Sequence, residues 1–165
     1  MGRRVIGISP GTRHFGLAVL QDGRMLDWKV FAFAGAWSGT KLQIIIDSLR
    51  PVLEESRADA VGVKIPDALP ISTSYIQLVG ALNAFIERQH IVPMYYNLSE
   101  LKKHWCPGQG ITKATLAECI VAKHHELLPE YRKEQTNKNS YYTKLFEAVA
   151  AADHAHKVYM LSHTD

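Results

Sequence analysis

Short runs of apolar, β-branched and aromatic residues fill positions 4–8, 15–21 and 24–33, and Asp22-Gly23 separates the last two at hairpin spacing. This pattern predicts three strands, two of them joined as a hairpin, with Trp28, Val30 and Phe31 in the third. Ser38-Gly39-Thr40 offers capping oxygens to a helix carrying Leu42, Ile45, Ile46 and Leu49, which Pro51 is expected to kink or divide. Residues 60–65 form a short apolar strand. Ser72 or Ser74 then starts a helix whose apolar set, Ile76, Val79, Leu82, Phe85 and Ile86, recurs at spacings of three and four. A strand over residues 91–96 and a helical turn over 98–103 follow, and the loop 106–110 leads into a helix from Thr112 to about Leu127, ended by Pro129. Residues 130–140 read as a mobile polar surface loop, and 142–161 as an Ala-rich last helix. Such an order implies an α/β sheet with antiparallel and parallel parts.

The 165 residues favour a single domain spanning 1–165. With 47% hydrophobic and 21% charged residues, disordered, collagen-like and coiled-coil classes drop out. A formal charge of +3 is compatible with a polyanionic partner without establishing one. Cys106 and Cys119 lack the partners of a Cys-x-x-Cys site and are expected to be free thiols in a reducing compartment. No run approaches the ~20 apolar residues of a membrane span, and the apolar start breaks too early for a signal peptide. The expectation is a soluble, cytoplasmic protein with no membrane partner.

Candidate chemistry enters with residues 5–20, VIGISPGTRHFGLAVL, a strand ending at Ser9, a turn through Pro10-Gly11-Thr12 and a returning strand. This stretch resembles the opening of RuvC-type Holliday-junction resolvases and other RNase H-like nucleases, which reads Ile-Gly-Ile-Asp-Pro-Gly-Thr. The resemblance continues in VGVKIP (residues 61–66), in LSELKKHWCPGQGITK (98–113) and in AAADHA (150–155), in the family's order and over most of the chain. It implies an RNase H-like fold: a five-stranded mixed sheet, with three antiparallel N-terminal strands and two further parallel strands, flanked by helices. It also implies a homodimer acting on branched or four-way junction DNA. Lys102, Lys103 and Lys113, together with Arg13 beside the strand-end turn, are then the expected nucleic-acid contacts.

The same comparison exposes departures. Such nucleases hold two divalent cations, Mg or Mn, on acidic groups that activate water and stabilise a leaving oxygen. In this chain Ser9 stands at the first-strand Asp, Lys64 at the second-strand Glu and Ala150 at the earlier helix acid, leaving Asp153 as the matching acid. The resemblance therefore implies a vestigial catalytic site with no metal expected, or one at Asp153 if any. Lys64 is expected to replace the missing cation by pairing with Asp153. Asp67 and Glu147 are the carboxylates that could rescue the site, although Glu147 lies about 240° around a helix from Asp153.

Three further features weigh less. The Gly108-to-Lys113 loop lacks a Walker or Rossmann pattern. The His124-His125 and His154/His156 groups fall short of a zinc set, and His104 with Trp105 could stack on an unpaired base or serve packing. Ser9 has no Gly-x-Ser-x-Gly elbow, which disfavours a serine hydrolase. The Pro-Gly-Thr turn also resembles actin-like kinases, but those bind ATP between two such domains. The expectation is a RuvC resolvase-like nucleic-acid-binding protein without metal-dependent nuclease activity. Its competitors are an active endonuclease with a displaced acidic site and a protein-interaction scaffold that does not bind nucleic acid.

Overall fold

The structure, a computed structural model, describes residues 2–68, 71–108, 112–136 and 141–164, without the side chains of Lys113 and Ala114. Strands β1 (Arg4–Ser9), β2 (His14–Gln21) and β3 (Arg24–Ala32) form an antiparallel meander. Strands β4 (Ala60–Ile65) and β5 (Val92–Asn97) extend it in parallel beyond β1, giving the order β3-β2-β1-β4-β5. The five-stranded mixed sheet is the one expected from the sequence.

Alternation of side chains along each strand sorts the two faces. Ile6 and Ile8 of β1, Phe15, Leu17 and Val19 of β2, and Val61 and Val63 of β4 point to one side. There they meet Ile45 and Leu49 of α1 (Gly39–Ser56) and Leu82 and Phe85 of α2 (Thr73–Arg88). On the opposite face β1 and β4 carry Val5, Gly7, Ala60 and Gly62, against which α6 (Tyr141–Ser162) lies. A Cβ at Gly7 would overlap the carbonyl oxygen of Ala148, and one at Gly62 that of Ala151, so glycine here is the condition for close helix-to-sheet contact. Outside α6 sit α3 (Leu98–Trp105), α4 (Lys113–Lys123) and α5 (Leu128–Thr136).

Caps begin the helices where local sequence asks for them: Ser38, Ser72 and Thr112 each accept a backbone N–H from the first turn. Asn97 and Glu100 make a full capping box on α3.

Three expectations are corrected. First, α1 runs unbroken across Pro51, with the buried residues Ile46, Leu49 and Leu53 holding one apolar face on both sides of it. Second, α4 ends at Lys123 and α5 occupies much of the segment read as a loop. Pro129 sits in the first turn of α5, where its missing N–H costs nothing, and so opens a helix instead of closing one. Residues 137–140 of that expected loop lie outside the described residues, as do 109–111 of the Gly108-to-Lys113 loop. Third, Cys106 and Cys119 are joined as a disulfide that ties the end of α3 to α4, so the free-thiol reading and the reducing compartment drawn from it lose their basis. Among the described residues no helix is long and apolar enough to cross a membrane.

Candidate functional site

Parallel pairing of β1 with β4 sets Ile8 opposite Val63, and one more step along both strands brings Ser9 and Lys64 to the same sheet end. Both fall on the α6 face by the period of two. Ser9 is fully buried, and among the described residues its Oγ has no hydrogen-bond partner. Lys64 places its Nζ 2.8 Å from Oε2 of Glu147, with side-chain exposures of 15% and 3%. At this separation the ammonium and the carboxylate form an ion pair at a largely buried place. The Tyr75 hydroxyl donates to the Lys64 carbonyl at 3.3 Å, and burial, then the Glu147 charge, push its pKa up to about 12. Across the neighbouring turn, Lys144 Nζ donates to the Pro10 carbonyl at 3.1 Å.

Asp153 is not part of this group. Glu147, Ala151 and Ala155 share one face of α6, and Gly62 of β4 packs against that face, which aims Glu147 at Lys64. Six residues further on, about 9 Å along the axis and 240° around it, Asp153 faces the outer helices. There Lys123 of α4 donates to its Oδ1 at 2.6 Å. His124 Nε2 lies 3.8 Å from the same oxygen, while His104 Nε2 at 3.7 Å and Lys157 Nζ at 3.8 Å face Oδ2. The expected Lys64–Asp153 pair is therefore replaced by two separate pairs, Lys64–Glu147 and Lys123–Asp153. Ala150 also faces outward, its carbonyl accepting from Trp105 Nε1 at 3.4 Å.

Of the other expected residues, Asp67 is exposed, and its Oδ1 accepts the Ser99 N–H at 3.2 Å, at the start of α3. Lys102 and Lys103 lie on α3, Lys113 opens α4 with its side chain outside the description, and Arg13 projects from the turn after Ser9. Sequence reasoning missed Tyr75, Lys123 and the inward aim of His104 and His124. No local pattern marks them, because each meets its partner only through helix packing.

Burial pushes the Asp153 carboxyl upward, but His124, Lys123 and Lys157 outweigh it and hold the group well below the usual carboxylate range. Burial lowers His104 and His154, helped by Lys157 at the first and by His104 at the second. Both imidazoles protonate more readily in the unfolded chain, so stability falls as pH drops below about 6.5. The Asp153 contribution is complete above its unfolded value near 4 and is lost as pH falls through the lower folded value. Asp153→Asn should cost about 1.5–3 kcal/mol at neutral pH and remove the acid limb below about pH 4, leaving the histidine limb. Urea midpoints measured across that range check this, and a variant that tracks the parent at every pH would remove Asp153 as the junction of α3, α4 and α6.

Among the described residues no group of three or more His, Cys, Asp or Glu side chains could hold a metal ion.

No protein-family model matches the sequence, and no curated protein does. Solved structures do match. The fold is of the RuvC type, an RNase H-like mixed sheet flanked by helices. The Thermus thermophilus RuvC structure superposes with a TM-score of 0.72 at 19% identity, covering 98% of this chain and 97% of that one. T. thermophilus RuvC in complex with a Holliday junction substrate gives 0.70 at 18% identity, over 91% and 90%. Fowlpox virus resolvase with its Holliday junction DNA gives 0.52 at 9% identity, over 96% and 99%.

Proposed function

We propose that this chain is a RuvC-like protein that binds branched DNA and does not cleave it by a metal-dependent route. The observation that carries this reading is the 2.8 Å pair between Lys64 and Glu147 beside the buried Ser9. Magnesium or manganese at a RuvC-type site needs several carboxylate oxygens, and among the described residues this sheet end offers one carboxylate, Glu147, already neutralised by an ammonium group. A lysine ammonium about 4 Å from a dication is repelled by roughly 8 kcal/mol at an effective dielectric of about 20. The residues present do not fit the metal. Ser9, Lys64 and Ala150 are read as replaced ligand positions and Asp153 as an acid serving helix packing.

Binding is supported by the fold shared with two resolvases whose structures hold Holliday junction DNA. It is also supported by the cations of α3 and the turn after Ser9, and a homodimer is the expected form. The test is a labelled four-way junction, with binding measured without metal and cleavage with magnesium or manganese. Binding without cleavage is the expected result. Replacing Lys102, Lys103 and Lys113 together by Ala should weaken binding on every sequence and flatten the salt dependence by about one unit per lost phosphate contact. Magnesium- or manganese-dependent cleavage by the parent protein would overturn the reading in favour of an active nuclease with a displaced acidic site.

A further inference from the structure

A groove runs beside the turn that follows Ser9, made of two adjoining cavities of about 500 and about 420 Å³. Phe33 lines both; Arg13 and His14 close the first, and Ser38, Lys41 and Ile44 the second. Among the described residues no carboxylate lines either one. Among the described residues the Arg13 guanidinium makes no hydrogen bond or ion pair, and it is exposed. Lys41 donates one proton to the Gly35 carbonyl at 2.7 Å, which leaves two N–H donors of its ammonium group.

Behind Phe33 the period of two along β3 and its continuation sets Lys29, Phe31 and Phe33 in a row. Lys29 Nζ stands 4.6 Å from the Phe31 ring centre, and the Phe31 and Phe33 rings stack at 6.0 Å with a 6° tilt. Lys144, on the Pro10 carbonyl, adds charge at the other end. His14 registers this field: burial and then Arg13 and Lys144 lower its pKa. Four cations gathered at one edge, in a chain whose net charge is only +3, make a locally polarised surface.

An aromatic ring between flanking cations, with no acid in the walls, complements a flexible polyanion carrying flat bases. Duplex DNA, whose bases are already stacked, would make no use of Phe33. We propose that this groove binds a single strand of nucleic acid, Phe33 stacking one base while Arg13 and Lys41 contact the phosphates on either side. The inference rests on the nucleic-acid reading above and extends it from Arg13 and the turn after Ser9 to Phe33 and Lys41.

The experiment measures fluorescence anisotropy of a short labelled oligothymidylate and of a labelled four-way junction over a salt series. Phe33→Leu should weaken oligothymidylate binding about tenfold or more without changing the salt slope, and Phe33→Tyr should bind like the parent. Arg13→Gln and Lys41→Gln, both conservative changes on the surface of the groove, should each reduce the slope by about 0.7. A parent protein that binds the junction but not oligothymidylate overturns the groove and leaves junction binding standing. So does oligothymidylate binding that none of these variants alters. A parent that binds neither probe overturns both proposals.

Discussion

Glu147→Gln is expected to destabilise the protein by about 3–5 kcal/mol, because it leaves the Lys64 ammonium at a largely buried sheet end with no counter-charge. The pair is enclosed by β1, β4 and α6, so added salt should recover little of the loss. Lys64 can bend part of the way to solvent, which sets the lower end of the range. The double variant Lys64→Met with Glu147→Leu separates the cost of an orphaned charge from the worth of the pair. Replacing both ions by apolar groups of similar volume should return stability to within about 1 kcal/mol of the parent or above it. Chemical denaturation of the three proteins decides the matter. A single variant as stable as the parent would mean that the two charges are independently solvated and that no ion pair organises this sheet end.

The second large effect is a gain. Ser9→Asp combined with Lys64→Glu removes the ammonium and sets two new carboxylates beside Glu147, a donor set suited to manganese. Without metal these groups repel, which should raise at least one of their pKa values and lower the unfolding temperature. Manganese at about a hundred times its dissociation constant should then restore about 2.7 kcal/mol, seen as a metal-dependent rise in that temperature. The parent should show no such rise. In the double-variant background Glu147→Gln should abolish the response and Asp153→Asn should leave it intact, since Asp153 faces Lys123 and the outer helices. The opposite pattern would place the vestigial site at Asp153 and return α6 to the alignment suggested by the AAADHA segment.

Much of the architecture was legible before any tertiary contact was known. The Asp22-Gly23 turn and the apolar runs on either side specify the β2–β3 hairpin, since turn chemistry and side-chain alternation are properties of adjacent residues. Ser38, Ser72 and Thr112 announce their helices for the same reason. The order of these segments, with motifs resembling the RuvC type, was enough for the sheet and its parallel extension. Local rules were weaker where two outcomes share one signal. Pro129 marks a helix end or a helix start equally well, and the structure takes the start.

The site divides along the same line. That Ser9 and Lys64 stand at the ends of neighbouring strands is legible in the chain, because Ser9 closes one apolar run, Lys64 is the penultimate residue of another, and the resemblance aligns the two. Which acid meets Lys64 depends on the rotation of α6 about its own axis. Matching AAADHA by letters selected Asp153, but the helix is set by the contact of its alanines with Gly7 and Gly62, and that contact turns Glu147 to β4 and Asp153 to α4. The same helix packing brought Cys119 to Cys106 and His104 and His124 to Asp153. The sequence determined the five strands, the helices that carry a cap or an apolar period, and their order, all written in short-range periodicity and capping, while α5 and the unbroken run of α1 were decided by packing. Only tertiary structure decided the partners of the buried charges, because a helix rotated by one residue presents a different face, and the surface against which it packs chooses the rotation.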